Sequence, residues 1–289
     1  MRKPQAQHLG RVLRLWLMGC VLGLSACAQP PTQTERQARA DHLAADQAWV
    51  PHRLNSQPLA LMAYIPQRPS ASDTLVVYIE GDGLAWYSAT QVSSNPTPSD
   101  AVALRMALAH PGPEAVAYLA RPCQFVSDAP CEARYWTDAR FSEEVIASTS
   151  DALDHLLRRS ASNRLVLVGY SGGGAVAALV AARRTDVAAL ITVAGNLDVQ
   201  GWVQHHRLTP LRRSLDPVSA LHALAKVPQL HWVGGKDSTV PAALTLDLAR
   251  RLQGTVPMDV RVLPELDHGC CWAQEWSTLW QRWPARPQP

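Results

Sequence analysis

Ser171 stands in the run Arg164-Leu-Val-Leu-Val-Gly-Tyr-Ser-Gly-Gly-Gly, where Gly169, Ser171 and Gly173 hold G-x-S-x-G spacing. A serine hydroxyl is a poor nucleophile until a base takes its proton, and an imidazole doing so needs an acid to fix its tautomer. His268, in Pro264-Glu-Leu-Asp-His-Gly-Cys-Cys-Trp, is the candidate base, and Asp237, in Val233-Gly-Gly-Lys-Asp-Ser-Thr-Val-Pro, is the candidate acid. Asp198 is the strongest rival acid, with Asp267 and Glu265 behind it, and His231 falls inside an apolar run as a structural histidine. The N–H of Gly172, directly after the serine, is placed to hold a developing oxyanion. A second donor is expected from Tyr78-Ile-Glu-Gly-Asp-Gly, with Asp82 first and Gly83 second. A carboxylate at Asp82 beside an oxyanion must point away or meet a cation.

Each of these residues needs an element to carry it. Residues 165–168 form an apolar, β-branched strand pattern that runs into the serine turn, and Ala175-Val-Ala-Ala-Leu-Val-Ala-Ala leaves it as a helix. A serine on so tight a turn takes strained backbone angles, so its neighbours two positions away must lack bulk. Asp237 follows a strand over 229–233 and precedes a helix over 241–252, although it could instead serve as that helix's cap. His268 follows a strand over 259–263 and precedes a helix over 272–283. The acid lies 66 residues after the serine and the histidine 31 residues after the acid, room for the intervening strand–helix units. Further strands are expected at 59–65, 74–80, 115–120 and 187–193, and helices at 101–109 and 142–159. Continuous apolar strands alternating with helices predict a mainly parallel, doubly wound α/β sheet with helices on both faces. Residues 196–226 break the rhythm with Trp202, His205, His206 and several arginines, which fits either a cap over the site or a polar surface excursion.

The N-terminus has a different character. Arg2, Lys3, Arg11 and Arg14 precede a short apolar core, residues 15–24, too short to span a bilayer. It ends in Leu24-Ser-Ala-Cys27, which resembles the lipobox of bacterial lipoproteins. That resemblance implies a signal peptide over 1–26, lipidation of Cys27, and, from Ala28, an outer-membrane place facing the periplasm. Removing 1–26 takes away four basic residues and no acidic ones, leaving 23 basic against 24 acidic. The net charge of +3 therefore belongs to the targeting segment and offers nothing to nucleic acid. Residues 27–50 are polar, with no apolar period, and read as a tether; residues 51–289 then make one α/β domain.

Cys123, Cys131, Cys270 and Cys271 remain after the signal and the lipid site are set aside. An exported chain with four cysteines invites disulfides, and Cys123 with Cys131 is the simplest local bridge. Adjacent Cys270 and Cys271 fit a vicinal bridge, free thiols, or separate partners. No Cys-x-x-Cys or Cys/His spacing suits a metal, and no cofactor is implied.

With E-G-D-G, R-P-C-Q, Y-W, G-Y-S-G-G and D-H-G-C-C-W in place, residues 57–283 resemble the α/β-hydrolase superfamily, and in particular its lipid-anchored bacterial members. The resemblance implies that Ser171, Asp237 and His268 are nucleophile, acid and base. It departs at the oxyanion loop, where Glu80-Gly81 replaces the familiar His-Gly. The expected activity is cleavage of a carboxylic ester in a small or lipid acyl substrate. An envelope acyltransferase or a peptidase would use the same residues. A hydrolase-fold lipoprotein kept for binding or assembly would need none of them. The oligomeric state is not readable.

Overall fold

The computed structural model describes residues 30–126 and 130–283. The expected signal peptide and Cys27 lie outside the described residues. Contacts divide the chain into Met1–Pro31 and Thr32–Pro289, and the fold below is that of the second unit.

Eight strands form a single sheet: β1 (Trp49–Leu54), β2 (Leu61–Pro66), β3 (Thr74–Ile79), β4 (Ala115–Leu119), β5 (Arg164–Tyr170), β6 (Val187–Val193), β7 (Gln229–Gly234) and β8 (Asp259–Leu263). Their spatial order is β1-β2-β4-β3-β5-β6-β7-β8. The β1/β2 and β2/β4 pairs are antiparallel, and β4, β3, β5, β6, β7 and β8 run parallel. Parallel strands covered on both faces are apolar at every position, which β3 satisfies: Leu75, Val77 and Ile79 face one core while Val76 and Tyr78 face the other.

Helices α3 (Glu143–Ser160) and α4 (Gly172–Ala181) pack into the first core with Leu248 of α6 (Ala242–Arg251). Helices α1 (Gln33–Ala45), α2 (Val102–Leu108) and α7 (Trp272–Gln281) contribute to the second, where Trp272, Trp276 and Trp280 bury the largest side chains of the C-terminal end. The short α5 (Val199–His205) lies between β6 and β7.

The expected tether needs correction. From Thr32 onward it is structured: Thr32 and Glu35 form a reciprocal capping box that starts α1, and Ala40 and Ala44 are buried. Its apolar signal is weak because the helix is anchored through two alanines and the aliphatic stem of Arg36, which donates to the Asn95 carbonyl at 3.0 Å. The domain therefore begins at Thr32 rather than at 51. Strand β1, with Pro51 inside it, is tolerated because it is the sheet edge.

Candidate active site

Parallel pairing in register brings the C-terminal ends of β3, β5, β6, β7 and β8 to one edge of the sheet, where α/β proteins build their sites. Ser171 sits between β5 and α4 at φ 51°, ψ −124°, a left-handed conformation that costs a side-chain-bearing residue about 1–3 kcal/mol. Its N–H donates to the Val193 carbonyl at 3.0 Å, and its own carbonyl accepts from Gly174 at 2.9 Å and Asn196 at 3.0 Å. These bonds hold the turn against its strain. A Cβ on Gly173 would run into the backbone carbonyls of Ile79 and Glu80, so only glycine lets α4 start this close to β3.

The Ser171 Oγ lies 3.0 Å from Nε2 of His268, and Nδ1 of His268 lies 2.8 Å from Oδ2 of Asp237. The other carboxylate oxygen of Asp237 accepts N–H bonds from Thr239 and Val240, both at 2.8 Å, so the acid also caps the turn into α6. The triad and capping readings of Asp237 are thus compatible, one oxygen each. The side chain of Asp237 is fully buried, while that of His268 retains 22% exposure toward the pocket. The His268 carbonyl accepts from the Tyr170 hydroxyl at 2.9 Å and from Nε1 of Trp272 at 3.0 Å. Asp267 accepts from the N–H groups of Gly269 and Cys270, fixing the histidine's loop from the other side.

The rival acids are engaged elsewhere. Asp198 caps α5 through the Gly201 N–H at 2.7 Å and pairs with Arg251. Glu265 is exposed and pairs with Lys236. His231 is buried in β7 with Nδ1 2.9 Å from the Thr192 hydroxyl, and burial pushes its pKa down to about 4.

The glycine loop after β3 comes to the same edge. Asp82, Gly83, Ser171 and Gly172 all line one pocket of about 430 Å³, with His268 and Trp202 on its wall. Asp82 does meet cations: Arg140 at 2.7 Å and Arg121 at 3.2 Å. Burial acts to raise its carboxyl, but Arg140 and Arg121 outweigh this and hold it below its ordinary value. A Cβ on Gly172 would run into Oδ1 of Asp82, so the carboxylate lies against the start of α4. Gln124 ties the loop down, donating to the Gly81 carbonyl at 2.9 Å while accepting from the Arg121 N–H at 3.0 Å.

Sequence reasoning does not single out Arg121, Gln124 and Arg140 as partners of the loop, nor Glu80. The signal for Arg121 and Gln124 was the R-P-C-Q segment, whose arginine and glutamine both serve E-G-D-G and whose Cys123 is bridged to Cys131. The sulfurs of Cys270 and Cys271 lie side by side, as the vicinal alternative has them. Glu80 is buried, and burial pushes its carboxyl up to about 7 against N–H bonds from Gly81 and Ala103. The irregular stretch after β6 contributes to the site, because Asn196 and Trp202 line the pocket. Nε1 of Trp202 and Nε2 of His206 both meet the Thr239 carbonyl, at 2.7 and 2.9 Å.

Among the described residues, no three His, Cys, Asp or Glu side chains gather as a metal site, and no helix is long and apolar enough to cross a membrane.

A mostly parallel eight-stranded sheet with this strand order and this edge site defines an α/β-hydrolase. The dienelactone hydrolase family matches residues 123–276, more than half the chain, and the chain belongs to that family and is a hydrolase. No curated protein matches the sequence. Among solved structures, an esterase from Pyrococcus furiosus aligns at a TM-score of 0.57 and 12% identity over 83% of this chain and 95% of its own. A bacterial membrane phospholipase A aligns at 0.56 and 15% identity over 97% and 98%. Puromycin hydrolase aligns at 0.56 and 15% identity, and there this chain, with 79% of its length aligned, spans 37% of the other. At these identities the likeness is one of fold.

Proposed function

We propose that the protein is a serine hydrolase that cleaves a carboxylic ester through Ser171, His268 and Asp237. The observation that carries this reading is the unbroken chain Asp237–His268–Ser171, at 2.8 and 3.0 Å, opening into the pocket.

His268 takes the Ser171 proton through Nε2 as Oγ attacks the acyl carbon. Asp237 holds Nδ1 protonated and steadies the imidazolium that forms. The tetrahedral oxyanion is met by the N–H of Gly172, at the N-terminus of α4, and by the N–H of Asp82. Gly83 lines the same pocket as a reserve donor. The carboxylate of Asp82 would repel that oxyanion were it not neutralised by Arg121 and Arg140. His268 then returns the proton to the leaving alcohol, water enters by the reverse route, and the acid is released. No step requires a cofactor.

The lipobox around Cys27 supports a place at the bacterial envelope, most simply the outer membrane facing the periplasm.

The test is turnover of a short aryl ester by purified Ser171→Ala. Activity should fall by about 10⁶-fold with the fold intact by circular dichroism. A folded mutant that keeps its turnover removes Ser171 from the mechanism.

A further inference from the structure

Of the exposed large apolar residues among those described, Trp86, Tyr87, Val92 and Leu208 belong to two segments that face each other beside the catalytic pocket. The first is a small hairpin. Trp86 bridges Val92, the Tyr87 N–H donates to the Gln91 carbonyl at 2.8 Å, and Nε1 of Trp136 secures its base through the Ser93 carbonyl at 3.0 Å. The second is the chain after α5, from Leu208 to Leu211. Between them runs a groove of about 570 Å³.

This groove is not separate from the site. Trp86, Arg140 and Trp202 line both it and the pocket that holds Ser171. Its charged floor is already satisfied: Arg140 is committed to Asp82, and Asp138 is held by two bonds from Arg213 at 2.7 Å each. The Thr137 hydroxyl is likewise spent, on the Ala133 carbonyl at 2.8 Å. What the groove offers is apolar wall without a free charge, and the exposed Trp86, Val92 and Leu208 around one cleft call for an apolar occupant.

We propose that this groove binds the acyl chain of the substrate, and that the chain is long. This rests on the reading of Ser171 as nucleophile. The leaving alcohol must lie within reach of His268, which protonates it, and His268 lines the pocket but not the groove. The groove meets the pocket at Trp86, Arg140 and Trp202 without reaching His268, and so takes the acyl half. Trp86 and Trp202 flank the carbonyl end, and Ala89 and Leu208 lie further along.

The experiment is kcat/KM for p-nitrophenyl acetate, butyrate, hexanoate, octanoate and decanoate, each below its micelle concentration. It is run on the wild type and on Leu208→Asp and Ala89→Trp. Both positions are exposed and outside the catalytic machinery, so neither change threatens the fold. Each methylene should raise wild-type kcat/KM by about fourfold until the groove is filled. Leu208→Asp puts a charge on the wall and Ala89→Trp fills it. Each should lower decanoate turnover by about tenfold or more while acetate stays within about twofold. A flat or falling chain-length series, or variants that lower acetate and decanoate alike, overturns the proposal while acetate turnover keeps Ser171 in place. Loss of all ester turnover in the wild type overturns both.

Discussion

At the scale of single residues, the proposed mechanism separates groups that react from groups that keep charges tolerable. Asp237 does both jobs of an acid, with one oxygen on His268 and the other on the turn into α6. Asp237→Asn keeps the hydrogen-bonding shape but favours the wrong imidazole tautomer, so kcat should fall by about 10⁴-fold with little change in Tm. Steady-state kinetics beside a thermal melt would read this. Asp82→Asn is expected to behave the other way. It leaves Arg121 and Arg140, both nearly buried, facing a neutral group, and removing one partner of a buried ion pair costs about 3–5 kcal/mol. Urea unfolding should show that loss, and an unchanged midpoint would deny the pair its structural role. Glu80 titrates near 7 in the folded protein, against about 4.3 in an unfolded chain. The folded state therefore holds this proton more tightly. Its stabilisation is complete below about pH 4.3 and is lost as the pH rises through about 7. Between about pH 5 and 8, wild-type stability should decline relative to Glu80→Gln, and parallel curves would mean that Glu80 is already ionised.

At the scale of elements, the disulfide between Cys123 and Cys131 clips the segment that carries Arg121 and Gln124 to the glycine loop after β3. Closing a loop with a sequence separation of 8 is worth about 2.5 kcal/mol. Cys123→Ser with Cys131→Ser should lower the unfolding free energy by that amount and raise KM or lower kcat as the loop loosens. Equal stability of oxidised and doubly substituted protein would contradict this. The strands that end at the site are also the elements most legible in the sequence. Strands β5, β7 and β8 are continuous or β-branched runs ending in Gly or Pro, and the chemistry follows each within a few residues. Helix α1 and strand β1 were not legible, for opposite reasons. The helix buries too little to show an apolar stripe, and the strand carries a proline that only an edge permits. The pairing of Arg140 with Asp82 was equally hidden, because 58 residues separate them and neither neighbourhood has a local pattern. Residues 196–226 broke the strand–helix rhythm in the sequence, and Trp202, named there as part of a possible cap over the site, lines the pocket.

At the scale of the whole molecule, the sheet supplies the chemistry and the segments above it supply the selection. The chain after β6 and the hairpin at Trp86–Val92 line the pocket and the groove beside it, whereas β1 and β2 form one lateral edge of the sheet. Anchoring belongs to this scale as well. If Cys27 carries lipid, Cys27→Ala should move the protein from the membrane to the soluble fraction of cells, with specific activity on a soluble ester unchanged. A variant that stays with the membrane would place its attachment elsewhere.

Intact-protein mass spectrometry after exposure to a fluorophosphonate measures directly whether Ser171 is a nucleophile activated by His268. A single adduct is expected on the wild type, mapped to the peptide containing Ser171, absent from Ser171→Ala and strongly slowed in His268→Ala. A wild-type protein that stays unmodified, or an adduct that persists in Ser171→Ala, would contradict it.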